Sequence, residues 1–140
     1  MDNLGLTVRG KIVSEESSPP SAEHRKYPRY RVHWKVLIVH EQSGTKQIFK
    51  GRTHDLSIKG ASIYSDHNIF IEGRVAVYLV MPTLAGDQGE KIIEIESRMA
   101  YTVLASNQHQ FRIGLHFLKF KENGHRLLSE NLARRSTVAL

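Results

Sequence analysis

The chain has 140 residues, of which 40% are hydrophobic, and this is enough for one domain with its own apolar core. It contains no cysteine, which excludes disulfides, thiolate metal sites and a cysteine nucleophile, and which favours a reducing compartment. No signal-peptide core and no run of about 18 apolar residues is present, so the sequence predicts a soluble, cytoplasmic protein.

The formal net charge of +6 is concentrated in one segment. Residues 25–59 hold nine Lys and Arg residues but only two acidic ones, so this segment carries all of the cationic excess. A basic segment of this kind indicates an anionic partner, which charge alone leaves open between nucleic acid, a nucleotide and a membrane surface. A solvated protein surface explains the same charge equally well.

Residues 1–23 are predicted to form a flexible leader. Residues 13–23 are polar, contain two prolines and offer nothing to bury. The weak alternation of apolar residues from Leu6 to Val13 permits an edge strand, but we assign this short segment to the leader as well. The folded unit is expected to begin near His24.

Six strand-like stretches follow the leader. In the first, which begins at Arg31, apolar residues occupy alternate positions, as they do in a half-buried strand. The other five cover residues 46–54, 60–65, 74–81, 91–104 and 109–118 and are separated by turn-forming residues. The core-facing residues expected in the stretch 91–104 are Ile93, Ile95, Met99, Tyr101 and Val103, and the outward-facing ones are Glu94, Glu96 and Arg98.

After Lys121 the apolar period lengthens to that of a helix. Leu127, Leu128 and Leu132 fall on one stripe, and two arginines follow near the end, where cations favour the helix dipole. Short turns between strands, without βαβ alternation, predict an all-β fold: a six-stranded antiparallel β-barrel with a C-terminal α-helix. The expected units are a leader (1–23), a barrel domain (24–120) and a C-terminal helix with its tail (121–140).

A first signature, Arg25-Lys-Tyr-Pro-Arg29, stands at the entry to the barrel. Each guanidinium is a planar fork of donors that matches phosphate oxygens or the O6/N7 edge of guanine. Pro28 disfavours a helix at Tyr27, so the two arginines lie on an extended or turning segment that can wrap around a ligand. Alone, two solvated arginines at a domain edge would be unremarkable in any basic domain.

A second signature, Asp55-Leu-Ser57-Ile-Lys-Gly60, follows the stretch 46–54. On an extended chain Asp55 and Ser57 project to the same side, while Leu56 and Ile58 point to the core. Gly60 allows the backbone to turn, or to approach a ligand where a Cβ atom would clash. The same residues also suit an ordinary turn with local hydrogen bonds.

Taken in order, the two signatures resemble the hallmark of the PilZ domain family, an RxxxR segment entering a six-stranded barrel and a later (D/N)xSxxG segment. The resemblance covers about residues 24–120 and includes Arg112-Ile-Gly-Leu-His-Phe117, which is similar to the family's closing strand. It implies a bacterial signalling receptor for cyclic di-GMP that acts on a downstream protein partner in motility, pilus or exopolysaccharide control.

The resemblance also implies the role of each matching residue. Arg25 and Arg29 would bind guanine edges and phosphate oxygens, and their guanidinium groups would stack on purine faces. Asp55 would accept hydrogen bonds from guanine N1 and N2, and Ser57 would bind guanine or phosphate. Gly60 would admit the base against the backbone.

Four further residues are candidates for ligand contacts. Lys26 and Arg31 would attract phosphate, and Arg98 would reach a guanine from the outward face of its strand. His24 occupies the position just before RxxxR, which the family links to binding one ligand or a stacked pair, and a histidine there leaves the stoichiometry open.

Other functional classes have weaker support. The eight histidines do not form an HxH, HExxH or similar ligand pattern, so we predict no metal and no cofactor other than the ligand itself. Without a nucleophile elbow or a P-loop there is no basis for an enzyme.

Two alternatives remain: a PilZ-fold adaptor that does not bind nucleotide, and a basic barrel that binds single-stranded nucleic acid. The aromatic residues that would stack bases in the second case are Tyr27, Tyr30, Trp34 and Phe49, although Trp34 fits the core-facing set better.

Overall fold

The computed structural model describes residues 27–83, 89–105 and 110–135, together with the backbone of two short strands near the N-terminus. The strands are β1 (Thr7–Val8), β2 (Lys11–Ile12), β3 (Lys35–Gln42), β4 (Thr45–Ser57), β5 (Gly60–Ser65), β6 (Arg74–Pro82), β7 (Glu90–Ala105) and β8 (Gln110–Phe120), and the helix is α1 (Gly124–Leu132). β1 and β2 form a separate antiparallel pair within the stretch from Leu6 to Val13, where we had assigned no strand. The rest of the predicted leader lies outside the described residues, so its flexibility stays a prediction.

Strands β3 to β8 close into a barrel in the order β3-β4-β5-β8-β7-β6. Every neighbouring pair is antiparallel, which confirms the predicted six-stranded antiparallel barrel. The β3–β4 hairpin turns through Ser43 and Gly44, whose φ angles of 54° and 79° are those of a tight two-residue turn that follows the twist of the strands.

The alternation predicted that the first barrel strand begins at Arg31, but the strand begins at Lys35. The reason is the hydroxyl of Thr53, which accepts the backbone N–H of Trp34 at 2.8 Å and donates to the carbonyl of Val32. This side chain takes the place of a ladder partner, so residues 31–34 follow β4 without forming a regular ladder. Tyr30 and Leu56 restore one isolated bridge farther along.

Alternate residues of the strands fill the interior of the barrel. Leu56, Ile63, Ile95 and Ile113 are fully buried there. Helix α1 closes the barrel with Leu128 and Leu132, which are buried against the core. This packing confirms the predicted C-terminal helix, and Arg134 and Arg135 follow its last residue.

One face assignment in β7 was wrong. The pairing of β7 with β8 shifts register between Met99, which faces Leu115, and Tyr101, which faces Gly114. The extra residue is a β-bulge, and it reverses the side on which all later side chains lie. Tyr101 and Val103 therefore lie on the outer face, whereas Ile93, Ile95 and Met99 are in the core as predicted.

Candidate ligand-binding site

The second signature forms the tight connection between β4 and β5. Asp55 and Ser57 end β4, and Gly60 begins β5 after a two-residue turn. Leu56 is completely buried, so the side chains of Asp55 and Ser57 face outward, as expected from the alternation. The Ser57 hydroxyl accepts the backbone N–H of Lys59 at 3.1 Å, so the serine also shapes the turn.

Gly60 has a structural reason to be glycine. A Cβ atom at this position would overlap the backbone carbonyl oxygen of Leu115 in β8. The close approach of β5 and β8 therefore requires a glycine whether or not a ligand is bound. The predicted contact between Gly60 and a base stays a prediction.

Arg29 is brought to the second signature by backbone pairing. Tyr30 and Leu56 exchange two backbone hydrogen bonds of 2.8 and 2.9 Å, which place the preceding residue beside the end of β4. Arg29 Nη1 lies 3.8 Å from Asp55 Oδ2. The Arg29 side chain is 40% exposed and that of Asp55 is 13% exposed, so the arginine keeps donors that can reach a ligand.

These residues border a pocket of about 170 Å³ between the β4–β5 turn and strands β7 and β8. Its lining comprises Arg29, Asp55, Ser57, Lys59, Gly60, Ala61, Ser62, Ala100, Tyr101, Gly114, Leu115 and His116. The ring of Tyr101 covers Gly114, where a Cβ atom would overlap it. The pocket is smaller than the roughly 300–1,000 Å³ typical of small-molecule sites, so a large ligand would fill it with one group and lie across the open surface with the rest.

The PilZ domain family model matches residues 23–134, which include the two signatures, the barrel and the helix. The chain belongs to the PilZ domain family. No curated protein matches this PilZ domain.

Two solved structures share its fold at low sequence identity. The inhibitor of motility MotI/DgrA of Bacillus subtilis is 12% identical with a TM-score of 0.60, over 81% of this chain and 54% of its own. MrkH of K. pneumonia, solved as a complex with c-di-GMP, is 13% identical with a TM-score of 0.51, over 79% of this chain and 51% of its own. This PilZ domain spans about half the length of either protein.

The predicted site residues of this PilZ domain are only partly brought together. Arg29, Asp55, Ser57 and Gly60 line the pocket, whereas His24, Arg25 and Lys26 lie outside the described residues. Arg31 does not line the pocket and instead acts electrostatically on His54. Arg98 lies on the outer face opposite His116, beside the pocket but not in its lining.

Sequence reasoning missed several residues that line the pocket, chiefly Lys59, Tyr101 and His116. Lys59 is one of the unspecified positions of the second signature, so the signature gave it no role. Its ammonium group lies 5.2 Å from the centroid of the Tyr27 ring. His116 follows Gly114 by two positions in the closing strand, so alternation alone would have placed it on the outer face. Tyr101 was assigned to the core because the bulge before it leaves no trace in the apolar pattern.

His54 lies directly before Asp55, at the point where the pairing register of β4 with β5 shifts. Burial lowers the pKa of His54, and the positive charges of Arg112 and Arg31 lower it further, against the opposing effect of Asp55. The imidazole is therefore neutral at neutral pH and adds no charge beside the carboxylate of Asp55.

The described part of the chain holds no group of three His, Asp or Glu side chains placed to bind a metal ion. No helix in the same part is both long and apolar enough to span a membrane.

Proposed function

We propose that this PilZ domain is a receptor for cyclic di-GMP, without catalytic activity of its own, and that the ligand binds at the pocket beside Arg29. The observation that carries the proposal is the convergence of Arg29, Asp55 and Ser57, from two distant signatures, on one pocket. The fold shared with MrkH, whose structure contains c-di-GMP, supports it.

The groups around the pocket match the chemistry of guanine and phosphate. The carboxylate of Asp55 accepts hydrogen bonds from N1 and N2 of a guanine, and its low exposure strengthens those bonds. Arg29 donates to the O6/N7 edge or to a phosphate, and Arg25 provides a second guanidinium from the same segment. Ser57 supplies a hydroxyl, and Lys59 adds a positive charge at the rim.

In this proposal the ligand orders the segment Arg25–Arg29 and thereby moves residues 1–24 against the barrel. The Arg29–Asp55 ion pair is loose and partly exposed, so exchanging it for ligand contacts costs little. A ligand that interacts differently with the free and the docked leader shifts the population between them, and a protein partner reads that shift.

Hydrogen exchange over residues 1–30 tests this relay. We expect slower exchange of these amides when cyclic di-GMP is bound. Identical exchange with and without ligand would contradict the relay but not ligand binding itself.

Isothermal titration calorimetry tests the receptor function. The purified protein is titrated with cyclic di-GMP, and GTP and a short single-stranded oligonucleotide serve as controls. We expect saturable binding of cyclic di-GMP with a shallow salt dependence, because the site is compact, and little heat with either control. A folded sample that gives no heat with cyclic di-GMP would favour the adaptor without nucleotide binding.

Burial of two of its aromatic residues weakens the nucleic-acid alternative. Of the four aromatic residues that would stack bases, Tyr30 and Trp34 are 9% and 6% exposed and belong to the core. Base stacking needs exposed rings along a basic groove. Tyr27 and Phe49 remain, and they do not form a continuous stacking surface with the two buried rings.

A further inference from the structure

Among the described residues, the first half of strand β4 is paired along one edge only. Residues Thr45–Arg52 pair with β3 on one side, but β5 joins the other side only from Arg52 onward. At Gly51 an added Cβ atom would lie 2.6 Å from the carbonyl oxygen of Tyr64, so this is where β5 closes in on β4. Between residues 45 and 50 no strand among the described residues covers the outer edge of β4.

The register of the hairpin shows which residues present their backbone groups at this edge. Gln42 and Thr45 flank the two-residue turn and form its closing hydrogen-bonded pair, after which bonded and non-bonded pairs alternate. Lys46, Ile48 and Lys50 are therefore in non-bonded pairs with β3, and their N–H and C=O groups point outward. The described residues provide no backbone partner for these groups.

The side chains of the same three residues share the outer face of the sheet. Ile48 is 56% exposed and lies between Lys46 and Lys50, both of which are exposed. Neither lysine forms an ion pair within the described part of the chain. The edge thus combines backbone groups that no described residue pairs with and a pattern of cation, apolar residue and cation at alternate positions.

We propose that this edge of β4 binds an extended segment of a partner protein, which adds a strand to the barrel. The segment would carry acidic residues opposite Lys46 and Lys50 and an apolar residue opposite Ile48, because cross-strand pairs of opposite charge are favourable. The proposal rests on the relay function proposed above, since it names the chemistry of the partner.

Charge and hydrogen bonding favour such a segment over a second copy of this chain or a membrane surface. If two copies of this chain paired antiparallel with Ile48 opposite Ile48, each Lys46 would face Lys50 of the other copy, and like charges directly opposite are destabilising. An anionic membrane would attract the lysines, but acyl chains offer no partners for the outward N–H and C=O groups. An acidic strand satisfies both the charges and the backbone.

The edge and the pocket lie on one strand. Asp55 and Ser57 are at the C-terminal end of β4, and the irregularity after Thr53 separates them from the edge at residues 45–50. A partner bound at residues 45–50 therefore leaves the pocket open, and both sites can be occupied together.

The test is a nuclear magnetic resonance titration of the ¹⁵N-labelled full chain with the synthetic peptide Ser-Glu-Thr-Val-Thr-Glu-Ser, capped at both ends. We expect shifts and slowed exchange at the amides of Lys46, Ile48 and Lys50. The double variant Lys46→Glu/Lys50→Glu should weaken peptide binding by at least about tenfold, because it replaces two attractive pairs by repulsive ones. The matched control Lys91→Glu/Lys119→Glu, with the same change of charge on β7 and β8, should bind the peptide as the parent does.

Four results would overturn the proposal. The first is no change at β4 with millimolar peptide, and the second is an equal response to a peptide with Lys in place of Glu. The third is a set of shifts at β4 that depend on protein concentration without peptide. The fourth is co-sedimentation with phosphatidylserine vesicles that the double variant abolishes. The last two would identify a second copy or a membrane as the occupant. Calorimetry with cyclic di-GMP should be unchanged in the double variant, so a failure of this proposal and a failure of ligand binding are distinguished.

Discussion

At the scale of single residues, the pocket depends on a few side chains whose surroundings fix their charge. Asp55 is held beside Arg29 at 3.8 Å and is largely covered, whereas Arg29 remains open to solvent. His54 next to Asp55 stays neutral at neutral pH because burial and two arginines disfavour its protonation. The pocket therefore presents one carboxylate acceptor among cationic donors, a combination that suits a guanine base with a phosphate.

Arg29→Ala and Asp55→Ala should each bind cyclic di-GMP more weakly while remaining folded. Losing one bidentate contact costs about 1–3 kcal/mol, or roughly 5- to 150-fold in Kd. Calorimetry measures the affinity, and far-ultraviolet circular dichroism checks the fold. Arg126→Ala and Glu130→Ala, which remove the same charges from an exposed pair on α1, are the matched controls. Unfolding of either pocket variant would show that the ion pair is needed for folding.

His54 should make the folded state sensitive to mild acid. Its pKa is lower in the folded than in the unfolded chain, so the unfolded state binds more protons once the pH falls below the usual histidine value of 6.5. This contribution to stability is complete above that pH and is lost as the pH falls toward the folded pKa. The free energy of unfolding, measured in urea from pH 7.5 to 5, should therefore decrease less steeply in His54→Gln than in the parent.

His125→Gln, at an exposed position of α1, provides the comparison for this pH series. Comparing the two variants separates the effect of losing His54 from the general effect of replacing a histidine by glutamine. If His54→Gln and His125→Gln gave the same slope as the parent, the acid sensitivity would have to arise from other groups.

At the scale of elements, the geometry of the site is set by two glycines and a bulge. Gly60 lets β5 approach the Leu115 carbonyl, and Gly114 lets the Tyr101 ring lie over β8. The bulge before Tyr101 turns that ring outward to the pocket. Together these features place the end of β4 and the middle of β7 on either side of the same pocket.

The two glycines should differ in how their replacement is tolerated. Gly60→Ala meets a backbone carbonyl that cannot move away, so it should lower the free energy of unfolding by roughly 3 kcal/mol. Gly114→Ala meets a side chain that can rotate, so its cost should be smaller, about 1 kcal/mol, and Tyr101→Ala in the same chain should relieve it. Urea denaturation of the single and double variants measures both, and equal costs at the two glycines would contradict this account.

At the scale of the whole molecule, most of the barrel was predictable because alternation is a local signal. The strand-like stretches and the apolar stripe of Leu128 and Leu132 required only the spacing of apolar residues. The exceptions arose where a distant contact changed the local rule. The hydroxyl of Thr53 bonds to residues 32 and 34, so β3 begins later than the alternation predicts. The bulge before Tyr101 reverses the side on which the later side chains of β7 lie.

The candidate site was predictable to the extent that its residues lie in the two signatures. Arg29, Asp55, Ser57 and Gly60 meet at the pocket, as the resemblance to the PilZ domain family implies. Tyr101 and His116 join them through strand order, because β8 pairs with β5 and β7 pairs with β8. Strand order depends on the whole sheet, so no short segment of the sequence reveals it.

The proposed binding site for cyclic di-GMP is the pocket between the β4–β5 turn and strands β7 and β8. The most direct test is a map of amide chemical shifts in the ¹⁵N-labelled protein as cyclic di-GMP is added. We predict that the largest changes occur at residues 55–60 and at Tyr101, Gly114 and His116. Changes confined to the β3–β4 hairpin or to α1, or no changes at saturating ligand, would contradict the account.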